Sequence, residues 1–191
     1  MAGRWMTFGQ YGAEGVPGKQ ALARQLDELL TGIVSEVTTE RGLHARLKYL
    51  TASPAGYAAM ARAGIDVTPR TLMRWLSEEA HPTRVNLTRI DAAYWDLRRR
   101  NVAKDLKGRL NARGRGTRME IYPVEQRGVI AQRRRDIPIR SVNVRLVWDD
   151  MVDAWLNEDE RTLDEIWDDI ICDLDSSWDA YSYVTAVGFG A

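Results

Sequence analysis

Apolar residues recur every three or four positions through the first half of this chain, and they alternate only in short stretches of the second. Between Lys19 and Val37 the apolar positions are Leu22, Leu26, Leu29, Leu30, Ile33, Val34 and Val37. That spacing predicts an amphipathic helix, weakened by Gly32, which costs about 1 kcal/mol relative to alanine. It serves as a core-packing helix or a dimer helix. Ahead of it, Gly3, Gly9, Gly12, Gly15 and Gly18 break regular structure, while Trp5, Phe8 and Tyr11 offer anchors between them. Residues 1–18 therefore read as a tethered arm.

A short helix from Arg41 to Tyr49 follows, with Leu43, Leu47 and Leu50 on its apolar side. Ser53-Pro54 is a helix start, the serine capping and the proline in the first turn. The alanine-rich helix "AGYAAMARA" follows, and Gly64 ends it. Thr68-Pro69 starts another helix, expected over Pro69–Ala80. In "VTPRTLMRWL" the residues Leu72, Trp75 and Leu76 point inward, and Arg70, Thr71, Arg74 and Ser77 point outward. This is the pattern of a helix-turn-helix, in which the first helix holds the second so that its tips enter the major groove. Arginine can pair with both guanine acceptors there, and Thr or Ser can reach bases or phosphates. The turn "AGIDV" is about two residues longer than the tightest form of the motif. A three-helix bundle with an exposed basic helix has the same spacing.

The next helix carries Leu87, Ile90, Tyr94, Leu97, Val102, Leu106 and Leu110. From Arg98 to Arg118 it and its continuation hold nine bases and one acid, Asp105. One sign at that density repels itself unless a polyanion compensates, so phosphate contacts are expected here. Gly108, Gly114 and Gly116 make "GRLNARGRG" read as a flexible basic linker. The whole chain has zero net charge, yet residues 1–145 hold 26 bases and 14 acids while residues 146–191 hold one base and 13 acids. Such asymmetry suggests a nucleic-acid surface with a separate acidic segment facing away from DNA.

Further on, "TRMEIYPV" reads as a strand and "GVIAQ" as a second. "RSVNVRLVW" alternates Val142, Val144, Leu146 and Trp148 against Asn143 and Arg145, a half-buried strand. "DDMVDAWL" is a short helix with Val152, Trp155 and Leu156 on one side. Thr162 and Glu165 form a capping box for a helix carrying Leu163, Ile166, Trp167, Ile170, Ile171 and Leu174. That stripe packs against the strands or forms a dimer or partner interface. The final "YSYVTAVGFGA" reads as an edge strand or a loosely packed end.

Little here suggests catalysis. His44 and His81 stand alone, a single cysteine excludes an internal disulfide, and neither zinc-ligand spacing nor a phosphate-cradling loop is present. Cys172 reads as a small core hydrophobe. The acids Asp149, Asp150, Asp153, Asp164, Asp168, Asp169 and Asp173 read as solvated faces rather than a two-metal nuclease site. No apolar run is long enough to span a membrane. The expectation is a cytoplasmic, nucleoid-associated protein that is not an enzyme and has no metal or cofactor.

In order and spacing, residues 41–175 resemble the telomere-protecting terminal proteins of actinomycete linear chromosomes and plasmids. The match rests on "VTPRTLMRWL", the arginine-rich helix after it, "MEIYPVEQRGVIAQ" and "IRSVNVRLVWDDMVDAWL" with its acidic helix. The resemblance implies telomeric DNA binding, covalent attachment to a DNA 5′ end through a side-chain hydroxyl, and work beside a telomere-binding protein and a DNA polymerase. In that family the priming hydroxyl precedes the strand beginning near Ile139. Here the loop reads "AQRRRDIP" and holds no Ser, Thr or Tyr. Ser141, Tyr122 and Thr117 are the nearby hydroxyls.

The sequence thus predicts an α+β fold in three parts. They are a flexible arm and packing helix (1–40), a helix-turn-helix domain with its basic helix (41–117), and a small α+β domain with an acidic helix (118–191). Double-stranded DNA is the expected partner. Thr68, Arg70, Thr71, Arg74 and Ser77 lie at or near bases, and Arg84, Arg98, Arg99, Arg100, Lys104, Lys107 and Arg109 lie along phosphates. A homodimeric transcriptional or origin-binding regulator is one alternative, and an adaptor that uses the acidic helix is another.

Overall fold

The computed structural model describes residues 8–174 and 178–190, so Gly3 and Trp5 of the expected arm lie outside the described residues. In chain order the elements are β1 (Val16–Pro17), α1 (Gly18–Leu29), α2 (Glu40–Thr51), α3 (Pro54–Arg62), α4 (Pro69–Leu76), α5 (Arg84–Asn111), β2 (Thr117–Pro123), β3 (Arg140–Val144), α6 (Trp148–Leu156), α7 (Glu160–Cys172) and β4 (Tyr183–Gly190). The fold is α+β and mainly helical.

Contacts divide the chain into two compact units. Leu29 and the residues before it join those from Ala103 onward, and Leu30–Val102 form the other unit. The breaks therefore fall at 29/30 and 102/103 rather than at 40/41 and 117/118. α5 contributes to both units, so the domain boundary lies inside a continuous helix and no linker marks it.

In the unit that includes the C-terminus, the antiparallel sheet runs in the order β1-β4-β2-β3. Met119 pairs with Val142 on one side and with Phe189 on the other. β4 lies between β1 and β2, so it is inside the sheet and not at its edge. Trp148, Trp155 and Trp167 are fully buried, with indole hydrogens donated to Val144 O (2.9 Å), Asp27 Oδ1 (2.9 Å) and Tyr181 O (3.1 Å). Residues 8–17 are tied in: β1 pairs with β4, Glu14 bridges Glu125, and the Arg133 guanidinium lies 4.3 Å over the Tyr11 ring.

Several expectations change. The helix from Lys19 stops at Leu29, because Thr31 and Gly32 leave the helix and Ile33 N–H donates to Tyr94 Oη at 2.7 Å. Val34 is exposed. "GVIAQ" forms turns and a short 3-10 segment at Ala131–Arg133, not a strand. β3 ends at Val144; Leu146 takes φ 67° in the open, and Trp148 starts α6. Gly108 lies inside α5, so the basic stretch is helical through Asn111, and φ turns positive only at Ala112–Gly114 and Gly116. Gly116 abuts the Val144 carbonyl where a Cβ has no room.

α7 is capped by Asp159, whose carboxylate accepts from Thr162 N–H at 3.1 Å, while Glu165 pairs with Arg161 at 2.9 Å. The expected Thr162–Glu165 box is thus displaced by one turn. Leu163, Ile166, Trp167, Ile170 and Ile171 are buried in the unit's own core, so the α7 stripe is not a free dimer face. Cys172, at the end of α7, is exposed rather than buried. Among the described residues no helix is long and apolar enough to cross a membrane.

Candidate nucleic-acid interface

The unit of residues 30–102 is built on α2, which packs against both α3 and α4. Thr39 caps α2 by accepting from Gly42 N–H at 3.1 Å. Leu43, Leu47 and Leu50 then face a core shared with Met60, Ile65, Trp75, Ile90, Tyr94 and Leu97. Gly56 touches the Leu50 carbonyl where a side chain cannot fit, so α3 crosses close to the end of α2.

α3 begins as its sequence predicts, with Ser53 Oγ accepting from Gly56 N–H at 3.3 Å. It ends in a Schellman turn: Gly64 sits at φ 75° and donates to Ala61 O (3.0 Å), while Ile65 donates to Met60 O (3.0 Å). Arg89 of α5 donates to Gly64 O at 2.8 Å, which ties the turn to the next helix. Thr68 caps α4 by accepting from Thr71 N–H at 3.2 Å, and the two hydroxyls lie 3.0 Å apart. Both threonines are thus engaged in the cap.

On α4, Trp75 is buried, Leu72 and Leu76 are half-buried, and Arg70, Arg74 and Ser77 are exposed. These residues fall on the sides that the spacing predicts, whereas Thr71, expected outward, is half-buried. The helix is shorter than Pro69–Ala80, since Glu78 reverses the chain at φ 61° and its carboxylate lies 3.4 Å from His44 Nδ1. Met73 shares the exposed side with Arg70 and Arg74, which the same i+3 and i+4 spacing already indicates. An apolar groove of about 340 Å³ runs between α3 and α4, lined among others by Tyr57, Met60, Leu72 and Met73.

The remaining bases divide by fold rather than by sequence. Arg70, Arg74, Arg84 and Lys104 are exposed and make no ion pair with the described residues. Arg98 donates to Thr31 O at 2.7 Å and braces the chain after α1. Arg100 pairs with Asp96 at 2.8 Å, Lys107 with Asp153 at 2.7 Å and Arg109 with Asp105 at 3.5 Å. Arg99 is half-buried and partnered. The tract is therefore not one uncompensated cationic stripe, because folding brings Asp153 to Lys107 across the sequence. The unit of residues 30–102 carries 11 bases and seven acids, net +4, so the other unit carries −4. The polarity between residues 1–145 and 146–191 is mostly neutralised within one fold.

Asp96 accepts from Arg62 at 2.5 Å as well as from Arg100. Burial raises its carboxyl, but the two guanidinium hydrogen bonds and their charges outweigh that and hold it below the usual aspartate value of 3.8. A carboxyl depressed by folding contributes stability above its unfolded value, and that contribution disappears as the pH falls through the folded one. Solvent screening limits it to under about 1 kcal/mol. Asp96→Asn is expected to flatten the loss of stability below about pH 4, read as urea midpoints across an acid series.

The three hydroxyls differ. Thr117 is buried and donates to Leu110 O at 2.7 Å, so its hydroxyl is engaged and closed to solvent. Tyr122 donates to Glu120 at 2.8 Å, and that bond raises its phenol above its usual value. Ser141 is exposed on β3. Among the described residues no cluster of His, Cys, Asp or Glu could hold a metal ion.

The fold and site together define an α+β chain in which two capped helices, α3 and α4, are joined by the Gly64 turn within the unit of residues 30–102. Against family models, curated proteins and solved structures, the chain matches none.

Proposed function

We propose that this protein binds double-stranded DNA by setting the exposed side of α4 in the major groove. The observation that carries this reading is Arg70 and Arg74. Both are solvent-facing and free of ion pairs on a helix capped at its start and anchored by buried Trp75. Partner-free guanidiniums on a short, fixed helix are ready to make bidentate contacts to guanine edges. Ser77 lies one turn beyond Arg74, and Arg84 opens α5 as a phosphate contact in the same unit. The net +4 of this unit supplies the sequence-independent attraction.

Action at the ends of a linear replicon, beside a telomere-binding protein and a DNA polymerase, rests on the sequence resemblance. Of the three hydroxyls, Thr117 is buried, Tyr122 is half-buried and bonded to Glu120, and Ser141 is exposed, so Ser141 is the most accessible to a polymerase.

The test is selection from random duplexes and single strands, followed by Arg74→Ala. We expect a duplex motif, and a loss of about 1–3 kcal/mol for the variant confined to one base position. Equal weakening on every sequence removes base reading from Arg74. Indifference to all oligonucleotides at low salt removes DNA binding.

A further inference from the structure

β3 is the last strand of the sheet, and among the described residues nothing pairs with its outer side. The Val144 carbonyl accepts from Trp148 Nε1 and lies against Gly116 at the start of β2, so Val144 turns its backbone groups toward β2. Alternation along a strand then assigns Arg140 and Val142 to the same ladder and directs the N–H and C=O of Ser141 and Asn143 outward. Natural edges are usually blunted by charge, proline or a bulge. This one carries Pro138, Arg140 and Arg145, but it is also bracketed by exposed apolar residues, Ile139 (60 %) and Leu146 (85 %). Leu146 is also held at φ 67°, a conformation that costs a leucine energy.

Two further features lie on the side of the strand that faces α7. Val142 is only half-buried, beside a groove of about 230 Å³ that is lined by Val144 and Ile170 and also by Arg145, Asp169 and Asp173. Arg140 is half-buried, and its Nε is shielded from solvent with no hydrogen-bond partner. Asp169 and Asp173 form no ion pair with the described residues. A shielded guanidinium nitrogen and two unpaired acids thus lie at opposite ends of one open strand.

We propose that β3 is a self-association edge: two copies pair antiparallel through Arg140–Val144 about Val142, and Arg140 of each meets Asp169 and Asp173 of the other. In that register Ser141 opposes Asn143 of the other copy, so the outward backbone groups satisfy each other. Val142 meets its own counterpart on the α7 side, where such pairs approach closely. Arg140 opposes Val144, beside the acidic rim of the facing groove. Ile139 comes opposite Arg145, next to Leu146. A second copy therefore satisfies the backbone edge, the half-buried valine, the orphaned guanidinium and the unpaired acids together. The proposal is independent of DNA binding.

Sedimentation velocity of the full chain over a concentration series, without nucleic acid, tests it. A dimer is expected. Ser141→Pro removes an outward N–H that bonds nothing in the sheet, and should raise the dissociation constant at least about tenfold with an unchanged circular dichroism spectrum. Arg140→Asp should weaken the dimer in the same sense. Adding Asp169→Arg and Asp173→Arg to that chain should restore it, which a fold defect cannot imitate. A chain that stays monomeric at every concentration overturns the proposal. So does a dimer indifferent to Ser141→Pro, or a charge reversal with no rescue.

Discussion

Trp75→Ala is expected to cost about 3–5 kcal/mol and to abolish the ordered presentation of α4. Trp75 is 5 % exposed and joins Leu47, Leu50, Met60 and Ile90 in the core of its unit. α4 spans Pro69–Leu76, which is too short to be helical without tertiary packing. Its other apolar contacts, Leu72 and Leu76, are only half-buried and cannot hold it alone. Truncating the indole removes a large apolar area and leaves a cavity that the neighbouring backbone cannot close. Urea unfolding followed by circular dichroism gives the stability loss, and duplex binding should fail with it. Arg74→Ala on the same helix should alter binding and leave the urea midpoint where it is. An equal midpoint shift for both variants would sink the separation of anchor from reader.

Arg46→Ala comes next, at about 3 kcal/mol. Arg46 is 4 % exposed, so its charge is compensated inside the fold. Its Nε donates to Asp91 at 2.7 Å, and Nη1 donates to Ser35 O (2.6 Å) and Gly42 O (3.1 Å). Its guanidinium also lies 5.2 Å over the Tyr94 ring. One side chain thereby joins α2, α5 and the segment after α1. Alanine leaves the Asp91 carboxylate and the Ser35 carbonyl short of partners. Lysine should recover only a fraction, since an ammonium cannot reproduce the planar fork. Hydrogen exchange is the measurement: amides of residues 33–43 should lose protection first. Arg46→Lys as stable as wild type would show that charge alone suffices.

Both effects bear on how much was legible in advance. The caps at Ser53 and Thr68 and the glycine stop at Gly64 were readable because each is a local bargain between one side chain and the nearest backbone groups. The inward and outward sides of α4 were readable for a similar reason, since a 3.6-residue period assigns faces without any partner. Arg70 and Arg74 therefore lie where spacing predicts. The domain boundary was less open to view, yet it left a trace. The apolar spacing in α5 steps by five between Leu97 and Val102, so one helix carries two stripes that serve different units.

Other features had no local signal. Arg100 and Arg109 pair with acids four residues away, Asp96 and Asp105, but Lys107 in the same basic run has its partner, Asp153, fixed by folding. The final stretch reads as an edge strand or a loosely packed end, whereas the place of β4 in the sheet depends on pairing with both β1 and β2. The helix after Lys19 stops at Leu29 although Leu30 and Ile33 continue the apolar period. What ends it is the Tyr94 hydroxyl, 61 residues away, taking the Ile33 N–H.

By itself, then, the chain determined its α+β class, the capped turn and the outward arginines of α4, because these depend on contacts within a few residues. Tertiary structure alone decided that Lys107 meets Asp153, that Ile33 meets Tyr94 and which strand is left open. Those outcomes depend on residues distant in sequence sharing one small volume, and charge and hydrogen bonding act over ångströms rather than over positions in a list.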